Sequence, residues 1–184
     1  MLTARTLTEA QVYESVLTAA DESAPAVPAP DLQPGVNLVE GETSWTYHST
    51  AGAIEVAYES ESAARKLGLP FGLGVSTLLD AAQWAILAST FGRRALTADM
   101  SYTGQPDQDR SIVELNWEYA AYAVREALKF LPEDADQMPD SAIWSDFGRQ
   151  ALVESPQLVH RAKLVDDLQY YEGTLDDFRA LYNS

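Results

Sequence analysis

The chain has no cysteine and only two histidines, His48 and His160. The first absence excludes disulfide frameworks, thiolate nucleophiles, Cys-ligated zinc and iron–sulfur clusters. The second leaves little room for nucleophile–base pairs, and no Gly-x-Ser-x-Gly elbow is present to use either histidine. Lysine is nearly missing too: Lys66, Lys129 and Lys163 are the only ones. Basic charge of any kind is short, 12 Lys+Arg against 28 Asp+Glu, for a formal net charge of −16. Phosphate binding needs clustered Lys/Arg, and isolated pairs such as Arg93-Arg94 do not make a patch. Direct contact with nucleic acid or a membrane surface is therefore not expected. The most apolar stretch, residues 67–91, carries Asp80 and Gln83. An Asp there costs about 2.5–3.5 kcal/mol on insertion, so the stretch reads as a buried helix of a soluble protein. Residues 1–10 lack the basic-then-apolar pattern of a signal peptide, which points to a cytoplasmic origin.

What is present is enough for a real core: 184 residues, 46% apolar and 10% aromatic. The acidity has three readings. It is a solvated surface coded by a GC-rich genome, an adaptation to high salt, or mimicry of the DNA backbone. Mimicry needs long acidic runs, and these acids are spread between arginines. The first two readings stay level.

Composition divides the chain into a first helix (1–20), a Pro-rich extended segment (21–44) and the remainder (45–184), in a single domain overall. Thr8 and Gln11 read as a capping box, with Leu7 stapled to Val12. Pro25, Pro28, Pro30 and Pro34 make the next segment a polyproline-like arm or linker. Residues 45–50 and 53–58 alternate as a β-hairpin, with Trp45 and Tyr47 on one face and Ile54, Val56 and Tyr58 on another. A hairpin alone is marginal, so this aromatic face needs cover from helices or a partner chain.

Ser60 opens a short helix ended by Gly68, and residues 69–74 form a loop containing Phe71. A helix from Ser76 or Thr77 to about Phe91 is apolar on nearly every side, Trp84 included, as in a bundle centre or a subunit interface. After a polar connection (93–110), Ser111 and Glu114 open a helix to about Leu131. Residues 132–140 are an acidic loop, followed by a helix carrying Ile143, Phe147, Ala151 and Leu152. Ser155-Pro156 opens another that Gly173 should stop, and Thr174 with Asp177 opens a last one. The expected fold class is mainly α: a helical bundle with one inserted β-hairpin and an extended Pro-rich N-terminal arm.

No constellation carries catalysis, metal or a cofactor. A di-iron bundle needs Glu-x-x-His on two helices, but Trp45 precedes His48 and Gln157 precedes His160 at that spacing. Both histidines read as surface residues. Glu114 and Glu118 lie one turn apart and read as a solvated stripe. Residues 133–140 resemble a calcium loop only superficially, because Pro139 takes the invariant glycine's place and Ser145 the bidentate glutamate's. Loose ion binding stays open there. Gly72-Leu73-Gly74 lacks the third Gly and the Lys of a phosphate loop. It reads as a loop that lets two helices approach closely.

Two functions from different classes remain. An enzyme or small-ligand binder would use carboxylates and aromatics such as Glu55, Glu59, Trp84 and Glu118. A non-enzymatic assembly protein would complete its core against copies of itself and other assembly proteins. Its interaction candidates are Trp45, Tyr47, Ile54, Val56, Tyr58, Phe71 and Trp84, with Asp166, Asp167, Asp176 and Asp177 as an acidic face for a basic partner.

The opening Leu7-Thr8-Glu9-Ala10-Gln11-Val12, the short first helix and the core helices at 77–91 and 111–131 carry a resemblance. Over about half its length, the chain resembles the helical head-to-tail adaptor (connector) proteins of tailed phages and archaeal tailed viruses. That resemblance implies a homo-oligomeric ring below the portal, incorporated in a virion, with no cofactor. The hairpin and the Pro-rich arm depart from the family's simplest members.

Overall fold

A computed structural model of the chain describes residues 1–19, 38–50 and 52–182. The Pro-rich arm falls mostly on residues 20–37 and so lies outside the described residues. The fold is mainly α, 61% helical among the described residues, with a small four-stranded sheet. The chain divides into two compact units, Met1–Leu79 and Asp80–Ser184.

The first unit holds strands β1 (Leu2–Ala4), β2 (Leu38–Glu40), β3 (Ser44–Ser49) and β4 (Gly52–Ala57), with helices α1 (Leu7–Ala19) and α2 (Tyr58–Lys66). The expected hairpin forms as β3–β4, but it is the middle of a sheet ordered β1-β4-β3-β2. β1 runs parallel to β4, while β2 and β3 pair antiparallel. Two three-residue strands are too short to show alternation in a sequence, so neither was expected.

The register corrects the expected faces. Trp45 lies opposite Val56 and Tyr47 opposite Ile54. Directly paired residues share a face, so all four point the same way. α1 contacts both strands, and its Ala10 and Val12 are buried. Tyr58 belongs to α2, not to the strand. Ser60 is not its cap, since its hydroxyl donates to the Ala57 carbonyl at 3.0 Å. The Gly68 stop is real: its φ is +65°, and Leu69 N–H returns to the Ala64 carbonyl.

Helix α1 starts at Leu7, with its cap two residues earlier than expected. Thr6 Oγ1 accepts from the Glu9 amide at 3.1 Å, the N-cap contact assigned to Thr8 and Gln11.

The second unit holds α3 (Ala81–Ser101), α4 (Arg110–Leu128), α5 (Asp146–Glu154) and α6 (Arg161–Tyr182), with one-turn 3-10 segments at Asp140–Ala142 and Pro156–Val159. α3 packs on α4, α5 and α6, and α4 packs on α6. Its burial on most sides, with Trp84 and Phe91 fully enclosed, agrees with its all-round apolar pattern.

Boundaries moved where a stronger cap stood nearby. α3 opens at Asp80, whose box with Gln83 is complete in both directions. Ser76 caps only an isolated turn, accepting from Leu78 and Leu79 amides. α3 then continues through Gly92 and Arg93-Arg94 to Ser101, because no proline interrupts it and Gly92 keeps a negative φ. Asp109, not Ser111, caps α4, and Ser145 caps α5 after Ile143. Ser155-Pro156 opens a 3-10 turn in place of a helix. Gly173 does not stop α6; it sits in mid-helix with a negative φ. Among the described residues, no helix is long and apolar enough to cross a membrane.

Candidate functional site

The first unit is fastened around a buried ion pair. Arg5 chelates Glu9 through Nε at 3.0 Å and Nη2 at 2.7 Å, and the Arg5 amide donates to the same carboxylate at 2.7 Å. Glu9 is wholly enclosed, which such a charge tolerates only with a partner this complete. Arg5 also donates to the Gly74 carbonyl, and Thr6 Oγ1 to that of Pro70 at 2.7 Å. Gly72 has φ +98°, and a Cβ there would lie 2.5 Å from Arg5 Cβ. The two-glycine loop thus cradles an arginine, and the close approach is to the β1–α1 turn, not between two helices.

In the second unit the corresponding centre is Asp80, which has no exposed surface. Its Oδ1 accepts from the Gln83 amide at 2.9 Å. Its Oδ2 accepts from the amides of Trp144 at 3.1 Å and Ser145 at 2.8 Å, and from Ser145 Oγ at 2.6 Å. Ser145 Oγ in turn accepts from Gly148 N–H at 2.9 Å. One carboxylate therefore lies at the N-termini of α3 and α5, where both helix dipoles favour negative charge. Gly148 is required: a Cβ would lie 2.8 Å from both Asp80 oxygens.

This clasp fixes the backbone that carries two exposed aromatics. Trp144 is 40% exposed and Phe147 41% exposed. The Trp144 ring is further braced by Phe130, with centroids 5.7 Å apart. Large apolar side chains held at this exposure on an immobilised backbone are pre-organised to bury against something else.

Glu114 and Glu118 are not a solvated stripe. Arg179 on α6 binds both, reaching Glu114 through Nε at 2.9 Å, and Arg110 also binds Glu114. Burial pushes the Glu114 carboxyl up, but the hydrogen bonds from Arg179 and Arg110 outweigh it and hold the pKa below the usual range. Arg179 is raised, chiefly by its hydrogen bond to Glu114. Arg110 adds a bond to the Tyr182 carbonyl at 3.0 Å, and Arg125 pairs with Glu172. These contacts join α4 to α6.

The segment likened to a calcium loop is organised by Arg161. Its guanidinium takes the carbonyls of Pro132 at 2.6 Å, Glu133 at 2.8 Å and Ala135 at 2.9 Å. An arginine thus occupies carbonyls that an ion would need. Among the described residues, no group of three or more His, Asp or Glu is placed to hold a metal.

No protein-family model, curated protein or solved structure matches the chain.

The residues singled out in the sequence scatter. Tyr47, Ile54, Val56, Phe71 and Trp84 are buried inside the chain. Tyr47 donates its hydroxyl to Glu14, and burial followed by that bond raises its pKa strongly. Trp45 is half-buried, edge-on to Tyr58 with centroids 4.5 Å apart. Asp166, Asp176 and Asp177 are exposed on α6, while Asp167 pairs with Lys163. His48 is exposed; His160 is half-buried, its backbone bridged to Gln137. Glu55 and Glu59 belong to the first unit, Trp84 and Glu118 to the second. Trp144 was not singled out. Its only sequence signal was its place just before the Ser145 cap.

Proposed function

We infer that this chain is a non-enzymatic assembly protein that joins other subunits through its second unit. The observation that carries this reading is the pair Trp144 and Phe147, displayed at 40% and 41% exposure beside a backbone pinned by Asp80. Exposed aromatics on a rigid support are the usual energetic anchors of protein interfaces. The carboxylates that an enzyme would need are instead engaged: Glu114 and Glu118 with Arg179, Glu55 with the Ser44 hydroxyl at 2.9 Å.

The specific form of this reading is a virion head-to-tail adaptor. Its α3–α6 helices would serve as a bundle within a homo-oligomeric ring. The ring places many acidic copies together, and high salt would screen their repulsion. Size-exclusion chromatography with light scattering, in low and in multi-molar salt, tests it. A discrete closed oligomer is expected. A monomer at every concentration and salt level overturns the ring.

A further inference from the structure

The chain around the two exposed aromatics is strongly one-signed. Residues 132–154 carry Glu133, Asp134, Asp136, Asp140, Asp146 and Glu154, all exposed, against Arg149 within the segment and Arg161, whose guanidinium is taken up by the Pro132, Glu133 and Ala135 carbonyls. Asp146 stands between Trp144 and Phe147 in sequence and pairs with Arg149 at 2.8 Å. Asp140 stands just before the pinned segment, at the start of its 3-10 turn. The segment therefore offers two apolar anchors flanked along the chain by exposed carboxylates.

A second copy of the chain complements this surface poorly. It brings a net charge of −16. Its cations are largely spent internally: Arg5 on Glu9, Arg110 and Arg179 on Glu114, Arg125 on Glu172, Lys163 on Asp167, and Arg161 on loop carbonyls. An isologous contact would set two acidic segments against each other, and like charges juxtaposed across an interface are strongly unfavourable.

We propose that the Trp144–Phe147 surface takes a cationic segment of a different protein, one that presents a bulky aliphatic or aromatic residue next to Lys or Arg. The apolar residue buries against Trp144 and Phe147, and its basic neighbours meet the flanking carboxylates Asp140 and Asp134. This partner assignment rests on reading the second unit as an interaction surface, but not on the ring, whose contacts would lie elsewhere. The lysine-poor sequence fits it: the protein supplies the acidic half of the contact and leaves the basic half to its partner.

The test uses the full chain and three peptides: Gly-Ser-Lys-Leu-Lys repeated three times, the same with Leu→Ser, and the same with Lys→Glu. Calorimetric titration should show binding of the Lys-Leu peptide, with the other two weaker by about tenfold or more. Trp144→Ala with Phe147→Ala should weaken the Lys-Leu peptide by a similar factor. Asp134→Asn with Asp140→Asn should weaken it in a salt-dependent way, while Asp176→Asn with Asp177→Asn should leave it unchanged. If the aromatic double variant misfolds by circular dichroism, Phe147→Ser carries the test alone. No binding of the Lys-Leu peptide, or equal binding of the Lys-Ser peptide, overturns the proposal. So does an equal loss in the Asp176/Asp177 variant. An oligomer that dissociates when Trp144 and Phe147 are removed assigns the surface to a second copy and also overturns it. Peptide binding by a monomer would sink the ring alone.

Discussion

Asp80 and Ser145 cap different helices and share a single oxygen: Oδ2 of Asp80 accepts both the amide of Ser145 at 2.8 Å and its hydroxyl at 2.6 Å. The hydroxyl then accepts from Gly148, so the N-termini of α3 and α5 are joined through a relay of two side chains. Residues 144–148 owe their position to a carboxylate more than sixty residues earlier in the chain.

Replacing Asp80 by Ala removes a helix cap and takes the acceptor from the part-buried N–H groups of Trp144 and Ser145. A lost cap costs about 1 kcal/mol and each orphaned donor about 1–3 kcal/mol, so a loss of about 3 kcal/mol or more is expected. Ser145→Ala should cost about 1–2 kcal/mol, since Asp80 keeps its amide donors. Urea denaturation of both variants measures this. A smaller loss for D80A than for S145A would contradict the arrangement.

Two helix glycines should respond with opposite signs. A Cβ on Gly92 would lie 2.6 Å from the Tyr171 ring, while one on Gly173 meets nothing within 4 Å. Gly173→Ala should stabilise by up to about 1 kcal/mol, through helix propensity. Gly92→Ala gains the same propensity but overpacks α3 against α6, for a net loss of about 1–2 kcal/mol. Thermal melts of the two variants decide it.

Alkaline stability should fall late and through identifiable tyrosines. Burial first, then the nearby Asp167 charge, pushes Tyr171 up to about 12. The fold therefore favours the neutral phenol. That contribution is fully present below the ordinary value of 10.0 and is lost as pH rises from there through about 12. Tyr171→Phe should flatten the stability profile in this window. Absorbance titration should show Tyr171 and Tyr47 ionising above the ordinary tyrosine range.

Acid sensitivity should depend on Arg179. Glu114 is held below its ordinary value of 4.5, so its contribution is present above that pH and lost as pH falls through the lowered one. Arg179→Met removes the largest lowering contact and should flatten stability against pH in that acid range. At neutral pH it should cost only about 1 kcal/mol, because the pairs are partly exposed and screened. High salt should shrink the difference. An unchanged acid profile would show that Arg110 alone holds Glu114.

Much of the helical content was legible because apolar periodicity and the absence of breakers are local signals. α4 and the apolar body of α3 follow from them, as does the β3–β4 hairpin from its alternation. Caps were less legible. Thr6, Asp80 and Asp109 each stood within a few residues of another good capping residue, and the sequence offers no local way to rank them. Their choice was made by second partners: Pro70 for Thr6, Ser145 and Trp144 for Asp80. Gly173 looked like a stop, but a helix whose Leu175 and Phe178 are buried by packing carries a glycine through.

The sequence by itself determined the chemistry open to this protein: no thiolate work, scarce histidine, few cations, a largely helical core. Those are properties of composition and need no partner in space. Only the tertiary structure decided which charges are engaged and which aromatics are exposed. Arg161 claims the acidic loop, Arg179 claims the paired glutamates, and the hairpin's Tyr47 turns inward. Trp144 and Phe147 are left outside. Burial and pairing depend on what lies opposite a residue, and residues far apart in the chain meet only when it folds.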